Sequence, residues 1–194
     1  MKKAKLIPML IAGLLAAPVF AQTPVNEVQR NINQETRIEN GLKSGALNTR
    51  EAAKLERDEA HIDSAEAKAM KDGMLSAKEQ RRIQRMQNQA SHDIARESHD
   101  AQKGNPTSAS SLRMQADVQR NINQQQRTEN GLKDGSLTTH EAARVERGQA
   151  KVVRKEARAG ADGHVGAAEE KRIQRAENRQ SRRVHRQRHD AQNG

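Results

Sequence analysis

Apolar residues recur at spacings of three and four along most of the chain, which is the pattern of amphipathic helices. In the first half this spacing predicts three helices. The first begins at Thr23-Pro24 and ends near Gly45, the second runs from Asn48 toward Lys71, and the third begins at Ser76. Their apolar positions are Val25, Val28 and Ile32; Ala52, Leu55, Ile62 and Ala69; and Ile83, Met86, Ala90 and Ile94.

The same pattern returns ninety residues later. VQRNINQETRIENGLKSGAL begins at Val28 and VQRNINQQQRTENGLKDGSL begins at Val118, and 41 of the 77 positions in 28–104 are identical in 118–194 without a gap. Such self-similarity indicates a tandem duplication. The second copy therefore predicts the same three helices, with apolar positions at Val145, Val152, Ile173 and Val184. The predicted fold is all-α, with two tandem three-helix units.

The segment between the copies is GNPTSASSLRMQA, at residues 104–116. Its Gly, Pro and Ser content breaks helices and favours a flexible connection. We therefore predict a first unit at 22–103, a linker at 104–116 and a second unit at 117–194, with the two units free to move relative to each other.

The chain begins with a predicted signal peptide at residues 1–21. Three lysines precede the apolar run LIPMLIAGLLAAPVF, and the small residues Val19 and Ala21 occupy the usual cleavage positions. The run is shorter than a typical membrane-spanning helix. This pattern predicts export to the periplasm or beyond, with cleavage near Ala21, and no transmembrane segment in the mature chain.

The composition of the mature chain limits its chemistry. It has no cysteine, its only aromatic residue is lost with Phe20, and 26 of the 173 residues from Gln22 onward are Val, Ile, Leu or Met. Thiol chemistry is thereby excluded, and so little apolar material leaves little room for a dry catalytic pocket. We therefore predict a non-enzymatic protein without a cofactor, whose thin apolar seams favour self-association.

Positive charge is concentrated in the second copy. Residues 28–104 hold 14 basic and 13 acidic side chains, whereas 118–194 hold 17 and 10. Basic residues of this density can bind anionic surfaces. Nucleic acid is not an expected partner, because no aromatic side chain is present to stack on bases. The candidate anion-binding residues, all in the predicted last helix, are Lys171, Arg172, Arg175, Arg179, Arg182, Arg183, Arg186 and Arg188.

Four turns share the pattern Gly-x-aliphatic-x-x-x-Glu, which is similar to the second half of an EF-hand calcium loop. Their candidate ligands are Asp72 and Glu79, Asp134 and Glu141, and Asp162 and Glu169. Lys68 and Arg158 stand where such a loop begins with a carboxylate, which opposes a cation. A structural alternative explains the same pattern, because a glycine ends one helix and a capping box such as Ser76-x-x-Glu79 begins the next.

A second metal hypothesis rests on histidine. His185 and His189 are four residues apart and Asp190 follows directly, so all three would lie near one end of the last helix. Two imidazoles at this spacing can hold zinc or copper, although a tight site needs a further ligand. Solvated surface histidines are the alternative.

The runs RIENGLKSGALNTREAAKLERDEAHI and KDGMLSAKEQRRI resemble those of small exported bacterial tandem-repeat helical proteins with degenerate EF-hand-like turns. The helix starts at Leu47, Leu75 and Leu137 are also loosely similar to the LTxxQ stretches of periplasmic stress chaperones. The second resemblance implies a helical, dimeric, non-enzymatic protein. The leading hypothesis is therefore a periplasmic binding or stress-protection protein with envelope partners. Divalent-metal binding and association with anionic envelope surfaces are the two alternatives.

Overall fold

The computed structural model describes residues 24–190, so the predicted signal peptide lies outside the described chain. The described residues form six α-helices and one short 3₁₀ turn, without a strand, which confirms the all-α prediction. The helices are α1 (Pro24–Ser44), α2 (Thr49–Ala69), α3 (Ala77–His99), α4 (Ala109–Lys133), α5 (Thr139–Ala159) and α6 (Ala167–Arg188).

Helices α2, α3 and α5 begin at the residues that the capping boxes indicate. The Asn48 side chain accepts the N–H of Glu51 at 3.0 Å, and the Glu51 carboxylate accepts the N–H of Asn48 at 2.9 Å. Helices α3 and α5 begin with the same reciprocal pair at Ser76 and Thr138. Gly73 adopts a left-handed φ of 86° after the 3₁₀ turn, a conformation that glycine reaches without strain.

The helices pair between the two sequence repeats rather than within them. Helix α1 packs along α4 and α2 packs along α5, which gives four central helices. Helix α3 packs on the outside against α1 and α2, and α6 packs on the outside against α4 and α5. One hydrophobic cluster contains Ile38 and Leu55 from the first repeat together with Val118 and Ile173 from the second. The narrow apolar seams are thus covered by the other repeat, because neither repeat has enough apolar surface to enclose them alone.

The predicted linker is part of this assembly. Helix α4 begins at Ala109, so residues 109–116 are helical, and the N–H of Gly104 donates to the carbonyl of Gly45 at 2.9 Å. A Cβ on Gly104 would overlap the carbonyl oxygen of Leu47, so only glycine permits this close approach. The sequence predicts separately moving units, whereas in the described chain helices from both halves share one core and the connection packs against the turn between α1 and α2.

Candidate functional site

A groove between α5 and α6 collects most of the exposed positive charge of the second repeat. On α5 the basic residues follow the helical spacing 144, 147, 151, 155 and 158, so they lie on one face beside α6. Helix α6 contributes four arginines from the opposite side, and three adjoining clefts join the two rows. The nine cations of this α5–α6 groove, all exposed, are Arg144, Arg147, Lys151, Lys155, Arg158, Arg172, Arg179, Arg183 and Arg186.

Close packing of the two helices places Arg183 over α5. Gln180 is buried and its Nε2 donates to the carbonyl of Val145 at 2.8 Å, which holds α6 against α5. A Cβ on Gly148 would overlap Gln180 Oε1 and lie 2.7 Å from Arg183 Nη1. The glycine therefore makes room for both side chains at the point where the helices are closest.

The groove has almost no counter-charge. Its widest cleft, of about 460 Å³, is lined by Arg144, Arg147, Lys151, Arg183, Arg186 and Gln187. None of the nine cations forms an ion pair within the described chain. Glu169 lies at one end, where its carboxylate accepts the N–H of Gly166 at 2.9 Å. Clustered cations without partners repel one another, and an anion in the groove would relieve that repulsion.

The first repeat has the equivalent groove between α2 and α3, where two of the cations are paired. Lys54 lies 2.8 Å from Glu97, and Arg96 contacts both Glu97, at 3.1 Å, and Asp93. Asp58, at the position of Gly148, also lines this groove. Glu97 and Asp93 thus neutralise Lys54 and Arg96, whose counterparts in the second repeat, Arg144 and Arg186, have no such partners.

The sequence identified the cations on the α6 side of the α5–α6 groove and missed those on the α5 side. Of the eight predicted cations, four line it, while Lys171, Arg175 and Arg182 are exposed outside the lined clefts. Arg188 is engaged elsewhere, because its Nη2 lies 2.8 Å from Asp134 Oδ2. The five α5 cations were missed, although the periodic spacing of Arg and Lys in RVERGQAKVVRKEAR would have indicated them.

The predicted histidine site brings two ligands together. The rings of His185 and His189 are 4.2 Å apart between centroids, and both residues are exposed. His189 Nδ1 lies 2.7 Å from the carbonyl of His185, and Asp190 accepts a hydrogen bond from Gln187 at 3.0 Å. A tight site needs three or more ligands close together. The groups of that size in the described chain lie elsewhere and include neither histidine.

The carboxylates of the EF-hand-like turns serve the turns themselves. Asp134 Oδ1 accepts the N–H of Ser136 at 2.9 Å, which is a local turn contact. Asp72 and Asp162 make the corresponding contacts with the N–H groups two residues later. Glu79, Glu141 and Glu169 accept N–H groups at the starts of their own helices. The three pairs are thus engaged in turns and caps.

The interior of the bundle is acidic, which sequence reasoning missed. Ten carboxyl side chains are at most 2% exposed, and the buried residues of the described chain include no lysine or arginine. They are Glu27, Glu35, Glu56, Glu59, Asp63, Glu66, Asp117, Glu146, Glu156 and Glu177. Acidic residues are seldom buried, so their spacing on α2 at 56, 59, 63 and 66 did not by itself indicate an interior position.

Burial changes the protonation of these carboxyls. It raises the pKa of Glu56 to about 7, against hydrogen bonds that lower it. It raises the pKa of Asp117 to about 9, with further contributions from the negative charges of Glu177 and Glu170. Because so many acids are enclosed, the surface of the protein is more positive than its net charge indicates.

No family model, curated protein or solved structure matches this chain. Among residues 24–190, none of the helices combines the length and apolarity needed to cross a membrane.

Proposed function

We propose that this protein is an exported, non-enzymatic binding protein of the bacterial envelope that associates with anionic membrane surfaces through the α5–α6 groove. One observation carries the proposal: nine exposed cations line the groove and none has an ion-pair partner within the described chain, whereas the first repeat has acids at three equivalent positions, Asp58, Asp93 and Glu97, where the second has none. Lipid headgroups with negative charge are the complementary surface, and each basic residue near such a surface contributes about 1 kcal/mol.

The dimensions of the groove suit a row of headgroups. The α5 cations extend from Arg144 to Arg158, which at about 1.5 Å per residue is roughly 20 Å. The large hydrophobic side chains that are exposed, Met74 and Leu112, lie outside the groove. Binding would therefore be electrostatic and sensitive to salt, without insertion of a side chain into the hydrocarbon.

The same surface favours this function over the chaperone-like hypothesis. A protein that holds unfolded clients usually offers a contiguous apolar surface, and here Met74 and Leu112 are the exposed large hydrophobic residues of the described chain.

The duplicated three-helix unit is part of our proposal. Its support is that α2 (Thr49–Ala69) and α5 (Thr139–Ala159) have bounds ninety residues apart at both ends.

The test uses the chain from Gln22 onward, because the apolar run before it would itself bind lipid. Co-sedimentation with vesicles of phosphatidylglycerol and phosphatidylcholine is measured at about 50 mM and about 500 mM NaCl. We expect strong binding at low salt, loss at high salt and no binding to pure phosphatidylcholine.

A variant that gives the groove the residues of the first repeat tests the location. Four substitutions, Lys151→His, Lys155→Ala, Arg179→Gln and Arg183→Asp, remove four positive charges and add one negative charge, so the net charge falls by five. At about 1 kcal/mol per charge, the affinity should fall at least a hundredfold. The control variant lowers the net charge by the same amount at exposed positions of the first repeat and its connection, through Lys71→Ala, Lys78→Ala, Arg81→Gln and Lys103→Asp. It should change the affinity less than about threefold.

Two outcomes would overturn the proposal. An equal loss in both variants would show that net charge alone drives binding. Binding to a soluble polyanion such as an oligonucleotide or polyphosphate, with none to vesicles, would assign the groove to another class of ligand.

A further inference from the structure

Three of the buried carboxyls lie together between the two repeats. Asp63 and Glu66 are one turn apart on α2, and Glu146 reaches them from α5. One oxygen atom from each lies within 4.8 Å of the other two, and each side chain is at most 2% exposed. The group is thus enclosed by the pairing of α2 with α5, which neither repeat could build alone.

Neutral amides are the hydrogen-bond donors to this group. Gln125 Nε2 donates to Asp63 Oδ1 at 3.3 Å and to Glu146 Oε2 at 3.2 Å. Asn31 Nδ2 donates to Glu66 Oε2 at 2.8 Å. No lysine or arginine of the described chain forms a hydrogen bond or an ion pair with any of the three carboxyls.

Several oxygen atoms at this place have no partner at all. Asp63 Oδ2, Glu146 Oε1 and the amide oxygen of Gln125 are buried without a hydrogen bond. A buried oxygen without a donor is costly, and native proteins rarely leave several of them together. A positive group at the centre would satisfy these oxygen atoms together.

We propose that Asp63, Glu66 and Glu146 bind one hard divalent cation, Ca²⁺ or Mn²⁺, in the interior of the bundle. The ligand atoms are all oxygen, which favours hard cations over copper or zinc. Calcium lies about 2.4 Å from its ligands, so oxygen atoms up to about 4.8 Å apart can share one ion. Mg²⁺ fits less well, because it gives up its hydration water reluctantly and this interior is enclosed.

A fourth ligand would come from Gln125: its Nε2 now lies 3.3 Å from Asp63 Oδ1 and 3.2 Å from Glu146 Oε2, and a 180° flip of the side-chain amide would put the unpartnered oxygen in its place. The corresponding place in the second repeat lacks one member of the set, since Val153 stands at the position of Asp63. Glu156 there is the counterpart of Glu66, and Asn121 donates to it at 2.6 Å. The divergence of the repeats thus predicts one cation per chain rather than two.

The test measures metal uptake directly. The chain from Gln22 onward is stripped with EDTA, and MnCl₂ or CaCl₂ is added either to the folded protein or during refolding, because the site is enclosed. Calorimetry and the loss of the free Mn²⁺ electron paramagnetic resonance signal should show one ion per chain. At a hundredfold excess over Kd, we expect Tm to rise by at least about 5 °C.

Two matched variants locate the site. Asp63→Val introduces the residue of the second repeat and removes a buried carboxyl whose Oδ2 has no hydrogen-bond partner, so the chain should fold at least as stably without metal and lose uptake. Glu156→Gln is the control at the counterpart of Glu66 and should retain it. The proposal would be overturned by wild-type protein that takes up neither ion under either condition, by Asp63→Val that binds as tightly as wild type, or by equal loss in both variants. None of these readouts depends on vesicle binding.

Discussion

The two grooves of the molecule have the same helical framework but differ in how far their cations are neutralised. In the α2–α3 groove, Lys54 and Arg96 are paired with Glu97 and Asp93. In the α5–α6 groove, the counterparts of these acids are Gln187 and Arg183, so the same backbone carries unpaired cations. The difference shows that exposed groove residues could change their charge without disturbing the buried residues that hold each pair of helices.

The interior diverged in the same way but with a different consequence. Asp63 and Glu59 on α2 correspond to Val153 and Gln149 on α5, so the first repeat supplies more of the buried acids. The first repeat therefore has more buried acids, and the second has more exposed cations without partners. Each prediction below alters one repeat and compares it with the equivalent position of the other.

The largest effect is expected from the buried acid Asp117, the counterpart of Glu27. Glu177, Glu170 and Glu56 are the acids near it and Arg120 is the nearby base. Its folded pKa of about 9 lies above the unfolded value of 3.8, so the folded chain holds a proton that the unfolded chain releases. Stability is therefore complete below pH 4 and falls as the pH rises toward 9.

Asp117→Asn should remove this loss and stabilise the protein at pH 8 by about 3 kcal/mol or more, with little change at pH 4. Burial also raises the pKa of Glu27, although Arg30 opposes it, so Glu27→Gln should give a smaller gain. Urea unfolding in EDTA from pH 4 to 9 measures both. A gain for Asp117→Asn that does not depend on pH would contradict the protonation argument.

The next effect concerns the packing between repeats. Met70 is 1% exposed and packs against Ala142 and Ala143 of α5, so Met70→Ala should cost about 2–5 kcal/mol. At its counterpart Gly160, an added Cβ would lie 2.5 Å from Met114 Cε, so Gly160→Ala should cost about 1–3 kcal/mol. Chemical denaturation measures both. Repeats that do not dock would tolerate Gly160→Ala without loss.

A smaller effect should appear when the first groove is made to resemble the second. Asp93→Asn and Glu97→Gln remove the acids that pair with Arg96 and Lys54, and Asp58→Asn removes a third acid that lines the groove. We expect vesicle affinity at low salt to rise about tenfold, because about 1 kcal/mol is gained for each base that is released. An unchanged affinity would mean that a groove needs the added cations of the second repeat as well.

The smallest effect is expected at the ion pair between Arg188 and Asp134, which the first repeat lacks because Ser98 and Ser44 stand there. Asp134 is about half exposed, so salt screens the pair. Arg188→Ser should lower Tm slightly at low salt and leave it unchanged within error at about 500 mM NaCl. A large loss at high salt would indicate a packing contribution from Arg188.

Residues of the candidate site that lie close together in the sequence could be predicted, whereas those brought together by packing could not. Arg183 and Arg186 were identified because they belong to one helix with an obvious density of charge. Arg144 and Lys151 were not, because nothing in the sequence states that α5 lies beside α6. Asp63 and Glu146 are 83 residues apart, and their proximity depends on how the two repeats dock.

The sequence by itself determined the helices, their caps and the duplication, because each depends on residues within a turn or on a direct comparison of the two copies. Only the tertiary structure decided which helices pair, which cations face each other and which carboxyls lose contact with water. The physical reason is that apolar spacing indicates which face of a helix must be buried, but it does not indicate which other helix covers that face. Once α2 was covered by α5 rather than by solvent, the charged residues beside its seam were buried as well.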